Sequence, residues 1–316
     1  MRDGPSIHFK EASVRVASNF YHTALVALVL GVSAASAIAQ PPAATTAWTA
    51  VEDALGRKGA MQPGNVIKFA FPRSDLTVIV AGVTLKPALA LGGWVAFKEL
   101  ANGQAMAMGD LVLTEDEVSP VMRALQDGGV EQTALHNHVQ KESPRVMYMH
   151  ISAHGDAAKI ARAIHLALAQ SKTPLGSASP PSATSAADLD TAGIAHALGI
   201  AGKLNGVVYQ VSVPRSETIT EMGIEVPPSM GVATAINFQP TGGGKAAITG
   251  DFVLRGTEVN PVIRALRDHG IEVTAVHSHM LTEQPRLLFI HFWANEDAVT
   301  LAKGLRAALD QTKSKK

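Results

Sequence analysis

The chain has 316 residues and not one cysteine. That absence excludes disulfides, thiolate zinc sites, a cysteine nucleophile and a lipid-modified cysteine. An excess of one charge is missing too, since 27 lysines and arginines face 27 aspartates and glutamates. Without a broad basic field, no nucleic-acid partner is expected. There is no Gly-x-Ser-x-Gly elbow, phosphate-binding loop or His-Glu-x-x-His helix. This argues against the usual hydrolase, nucleotide and metalloprotease readings. Histidine and carboxylate remain as the natural metal ligands.

Long apolar runs are scarce as well, and the one that exists lies near the N-terminus. Arg2, Lys10 and Arg15 precede HTALVALVLGVSAASAIA, which ends on Ala37-Ile38-Ala39 before Gln40. A basic start, a short apolar centre and a small-x-small cleavage site predict a signal peptide over 1–39. The mature chain is therefore expected to be exported, periplasmic or secreted, and soluble. No later segment approaches the roughly 20 apolar residues of a membrane span.

The body of the chain is written twice. GDLVLTEDEVSPVMRALQDGGVEQTALHNH from Gly109 aligns without a gap to GDFVLRGTEVNPVIRALRDHGIEVTAVHSH from Gly250, an offset of 141. FPRSD at Phe71 and VPRSE at Val213 extend the match upstream at an offset of 142. Between the copies runs GSASPPSATSAA, rich in proline, serine and small residues, which predicts a linker over 176–187. The copies then occupy 40–175 and 188–316.

Within each copy, WVAFKEL and AMAMGDLVL read as strands. EVSPVMRALQDGG reads as a helix, because Val118, Val121, Met122 and Leu125 recur at three- and four-residue steps. VEQTALHNH and RVMYMHISA follow as strands and DAAKIARAIHLALAQ as a closing helix. An opening helix and an upstream strand pair, VIKFAFPR with LTVIVAGV, complete the unit. The expected fold is α+β: two tandem copies of a mainly antiparallel sheet with helices on one face, around a strand-strand-helix-strand-strand-helix core.

PRSDLTVIVAGVTLKPALALGGWVAF, MGDLVLTEDEVSPVMRAL, ALHNHVQKESPRVMYMHI and FQPTGGGKAAITGDFVL resemble the LppY/LpqO family of bacterial exported proteins, over nearly all of the mature chain. The resemblance implies an exported or envelope protein and brings no catalytic residues with it. Some members of that family are lipoproteins, and this chain departs from them in having no cysteine to lipidate.

The chemistry concentrates in ALHNHVQKESPRVMYMHISA and its repeat AVHSHMLTEQPRLLFIHFWA. His136 and His138, two apart on an expected strand, leave the same face with Cα atoms roughly 6.5 Å apart. Two such imidazoles and Glu142, four residues on, form a candidate divalent metal site, zinc or another first-row ion. His277, His279 and Glu283 repeat it. The His-x-His-x-x-x-Glu spacing is like the first cupin metal motif, as local chemistry and not as shared fold. His150 and His291 stay out of this ligand set, because a simple hairpin puts His150 on the order of 16 Å along the strand from the pair. Arg145 and Arg286 could grip an anionic or small-molecule ligand, or pair internally with Asp110, Asp251 or Glu142. Three functional readings follow. They are a metal-dependent enzyme, a non-catalytic ligand- or anion-binding protein, and, from element order alone, a likeness to pterin carbinolamine dehydratases. The histidines could also simply decorate a solvated sheet face.

Overall fold

The computed structural model describes residues 46–176 and 188–315. The expected signal peptide and all but the first residue of the expected linker lie outside these. No described helix is long and apolar enough to cross a membrane.

The first copy runs α1 (Thr46–Leu55), β1 (Ala60–Gln62), β2 (Val66–Pro72), β3 (Ile79–Val80), β4 (Val83–Thr84), α2 (Pro87–Ala90), β5 (Gly92–Glu99), β6 (Gln104–Thr114), α3 (Glu115–Asp127), β7 (Glu131–His136), β8 (Val146–Asp156) and α4 (Ala157–Leu168). The second repeats this order, with a 3-10 turn (Pro228–Met230) in place of α2. It runs α5 (Thr191–Leu198), β9 (Lys203–Asn205), β10 (Val208–Pro214), β11 (Thr220–Glu221), β12 (Ile224–Glu225), β13 (Ala233–Gly242), β14 (Lys245–Leu254), α6 (Gly256–Asp268), β15 (Glu272–His277), β16 (Leu288–Asp297) and α7 (Ala298–Leu309). Each copy builds a six-stranded antiparallel sheet, in the orders β1-β2-β5-β6-β8-β7 and β9-β10-β13-β14-β16-β15. The expected tandem α+β architecture is what the chain adopts.

One local expectation fails. The stretch read as a long strand, LTVIVAGV, does not pair with β2, whose neighbours are β1 and β5. It folds on itself as the ribbon β3–β4, and β11–β12 does the same in the second copy. Ala81 and Gly82 take φ of 47° and 82°, and Met222 and Gly223 take 51° and 78°. Two consecutive positive-φ residues make a tight turn that returns the chain at once.

Strand alternation sends side chains to two faces, and both faces of each sheet are buried. On the outer face of the first sheet, Phe69, Phe97, Leu111, Met149 and Ile151 pack under Val121 and Leu125 of α3 and Ile160, Ile164 and Leu168 of α4. The second sheet repeats this with Phe238, Ile248, Phe252, Ile290 and Phe292 under α6 and α7. The inner faces pack on each other. Ala96, Met106 and Met108 of the first copy share one cluster with Val232, Val253 and Phe289 of the second, and Val112 and Tyr148 share another with Val208, Ala247 and Trp293. The layers therefore run helix, sheet, sheet, helix.

The start of each closing helix is fixed by an aspartate. Asp156 Oδ1 accepts from Lys159 N at 2.8 Å and Asp297 Oδ1 accepts from Thr300 N at 2.8 Å. Each occupies a backbone donor that the first helical turn leaves free. Asp156→Ala should lower the unfolding free energy by about 1 kcal/mol, and Asp297→Ala should shift stability in the same direction. Urea denaturation checks this through a shifted midpoint at unchanged slope.

Candidate metal centre

Register fixes the first three members of the site. Asp110 in β6 lies opposite His150 in β8, which lies opposite Ala134 in β7. Opposed residues share a face, so Asp110, His150 and His136 all project inward. Asp251, His291, Ala275 and His277 repeat the arrangement. Beyond His136 the strand ends and the chain folds back, so His138 is held by the loop. Thr274 Oγ1 donates to the His138 carbonyl at 2.5 Å, and in reciprocal fashion Thr133 Oγ1 donates to the His279 carbonyl at 2.6 Å. The exchange of equivalent bonds describes a pseudo-two-fold axis between the copies.

Six histidines and two aspartates meet at that axis. The rings pair across the copies: His136 with His277 at 3.7 Å between centroids, His138 with His291 at 3.8 Å, and His150 with His279 at 3.6 Å. Tyr148 and Phe289 close the ends, 3.3 Å from His138 and 3.5 Å from His279. Each carboxylate sits among histidines of its own copy. Asp110 is 3.6 Å from His138 Nε2 and 3.9 Å from His150 Nε2; Asp251 is 3.3 Å from His279 Nε2 and 4.0 Å from His291 Nδ1.

His277 Nε2 and His279 Nε2 meet each other at 2.9 Å, but most of the inward atoms lack ordinary partners. His136 Nε2, His138 Nε2, His150 Nε2, His277 Nδ1, His291 Nε2, Asp110 Oδ1 and Asp251 Oδ1 are all buried without a hydrogen bond. Orphans of this kind are costly and need an explanation. Two of the rings are also oriented from behind, His136 Nδ1 by the Asn137 carbonyl at 3.2 Å and His291 Nδ1 by the Gly250 carbonyl at 2.7 Å. A carbonyl on one ring nitrogen leaves the other as a bare lone pair, the usual support behind a metal-binding imidazole.

One donor atom from each of His136, His277, His279 and His291 lies within 4.8 Å of all the others. A tetrahedral ion with bonds of 2.0–2.1 Å spaces its donors by roughly 3.4 Å, so modest side-chain adjustment gathers the four. Burial holds the imidazoles neutral: it pushes His136 down to about 4 and lowers His138, His150, His277, His279 and His291 further. Burial raises the carboxyls, Asp110 to about 7 and Asp251 well above its usual range, the latter reinforced by Asp110. Neutral imidazoles beside carboxyls with no lysine or arginine among the described residues within ion-pair distance are a donor set a cation completes.

Two stretches, 49–170 and 192–311, match the family described as Domain of Unknown Function (DUF1259). The chain belongs to that family. Two copies of the DUF1259 domain thus span well over half of the sequence. No curated protein matches it. Among solved structures, the trimeric bacterial microcompartment shell protein PduB is similar at 14% identity, over 80% of this chain and 90% of that one, with a TM-score of 0.20. EtuB from Clostridium kluyveri is similar at 11% identity, over 79% and 90%, with a TM-score of 0.18. Likenesses at such scores have no bearing on the DUF1259 chain's fold or function.

The structure brings together His136, His138, His277 and His279 from the residues singled out in the sequence, in one site between the DUF1259 copies. Glu142 and Glu283 are not among the four donors that lie within 4.8 Å of one another, although Glu142 Oε1 is buried without a hydrogen bond. Glu283 is fully buried, accepting from Leu287 N at 2.8 Å and from Arg286 Nη1 at 3.1 Å. Arg286 also donates to the carbonyls of Met280 and Leu281. Arg145 stands exposed, 3.9 Å from Glu115. The internal partners considered for Arg145 and Arg286 are replaced by Glu115 and Glu283, while Arg73 and Arg215, each at another proline-arginine step, take Asp75 with Glu117 and Glu217 with Glu258. His150 and His291, set aside on hairpin geometry, belong to the cluster. The 16 Å distance assumed that His138 continues the strand, whereas the loop turns it back onto Asp110, which lies opposite His150. The aspartates had a readable signal: a lone acid at a matched position in AMAMGDLVL and AAITGDFVL, both otherwise apolar.

Proposed function

We propose that this is an exported protein that binds divalent first-row metal at a centre built jointly by its two DUF1259 copies. The observation that carries this reading is the convergence of buried, unpartnered imidazole nitrogens and carboxylate oxygens at the pseudo-two-fold axis. Nitrogen and oxygen donors without thiolate suit zinc, manganese, iron, cobalt or nickel. Export rests on the N-terminal segment and on the LppY/LpqO resemblance. Metal-dependent catalysis requires a coordination position open to water, and His138 and His277 are the two histidines of the centre that are not fully buried. The deeper burial of His150 and His291 favours the second reading, a non-catalytic binding protein.

Protein purified without an affinity tag should carry stoichiometric metal by elemental analysis. The His136→Ala, His277→Ala double variant should lose at least tenfold in metal affinity while keeping its circular dichroism spectrum. Wild-type protein that binds no first-row metal at micromolar concentration would overturn the proposal. Cobalt-substituted protein separates the two readings. An open position shows a spectral change with azide, and a closed site shows none.

A further inference from the structure

We infer that the centre is dinuclear: two divalent ions lie side by side at the pseudo-two-fold axis, bridged by Asp110 and Asp251. The inference rests on the metal-binding reading above and adds to it the number of ions and the role of the two carboxylates.

A single ion does not satisfy the donor set. Placed among His136, His277, His279 and His291, it leaves Asp110 Oδ1, His138 Nε2 and His150 Nε2 buried and still without partners. The carboxylates show where two ions belong. Asp110 directs Oδ2 toward His138 at 3.6 Å and Oδ1 toward His150 at 3.9 Å. Those two histidines stack on different partners, His138 on His291 and His150 on His279. Asp251 places Oδ2 3.3 Å from His279 Nε2 and Oδ1 4.0 Å from His291 Nδ1, the nitrogen that also meets the Gly250 carbonyl.

One oxygen of each carboxylate therefore faces the His138–His291 pair, and the other faces the His150–His279 pair. Each pair with its two oxygens supplies two nitrogens and two oxygens, a complete set for one ion, and the axis exchanges the two sets. Carboxylates shared in this way hold ions about 3.5–4 Å apart, the spacing of two-metal sites. His136 and His277, stacked on the axis, lie beside both positions. His291 can serve through Nε2, because Nδ1 is committed to the Gly250 carbonyl.

Manganese(II) alone is the probe. Native mass spectrometry of the full chain at saturation should show two manganese ions per chain, and electron paramagnetic resonance should show an exchange-coupled pair. Asp110→Asn and Asp251→Asn should each abolish the coupling and leave at most one ion. One uncoupled ion per wild-type chain would overturn the inference while leaving the metal-binding reading intact. No bound manganese would overturn the inference, and the metal-binding reading falls with it only if zinc and cobalt are refused as well. The wild-type measurements decide the matter even if an aspartate variant fails to fold.

Discussion

Arg73→Leu is expected to lower the unfolding free energy by about 3–5 kcal/mol, the range for breaking a buried ion pair by removing one partner. The Arg73 side chain is wholly buried. Its guanidinium donates to Glu117 at 2.7 and 3.1 Å, to Asp75 at 2.9 and 2.8 Å, and to the Val112 carbonyl at 2.7 Å. Glu117 is shared further, accepting from Thr114 N at 2.9 Å and Lys172 N at 2.8 Å. The group thus ties β2, β6, the first turn of α3 and the segment after α4 to one charge. Leucine leaves Glu117 buried without its cation. Arg215→Leu should act alike through Glu258, and urea midpoints check both.

The same group sets a dependence on pH. Burial opposes ionisation of Glu117, but hydrogen bonds from Arg73, Lys172 and Thr114 outweigh it and lower its pKa. A carboxyl with a lowered folded pKa contributes stability above its unfolded value, about 4.3, and loses it as pH falls through the folded value. Wild-type stability should therefore decline below about pH 4.3. The gap to Arg73→Leu should narrow there, since a Glu117 without its arginine takes up a proton more readily.

Saturation with the cognate ion should raise the unfolding free energy by about 4 kcal/mol at a free concentration a thousandfold above Kd. For a body of this size that corresponds to roughly 8–16 °C in Tm. The gain arises because only the folded chain gathers the six histidines and the two aspartates around the ion. The increase should disappear in the His136→Ala, His277→Ala variant and on chelation. A Tm that ignores manganese, zinc and cobalt alike would contradict it.

Much of this molecule is legible in its sequence because local patterns carry it. The 141-residue offset reveals the duplication, the three- and four-residue steps place α3 and α4, and the repeated histidine passage holds six of the eight residues of the centre, four of which the spacing assigns to it. What escapes is the packing of one copy on the other. Asp110 and His150 look unremarkable in a strand read alone, and become neighbours only through the β6–β8 register. His291 and His138 are 153 positions apart, and only the stacked inner faces join them. The clue was there in β8, where VMYMHISA is apolar at odd and even positions alike, as suits a sheet covered on both sides. Glu142 and Glu283 attracted attention through spacing along the chain, but the loop that carries them places Glu283 against its own backbone and Arg286.

Since each stacked histidine pair draws one ring from either copy, a first copy offers the same mating surface to the second copy of a neighbouring chain as to its own. Two chains trading halves would rebuild both centres without a single altered residue.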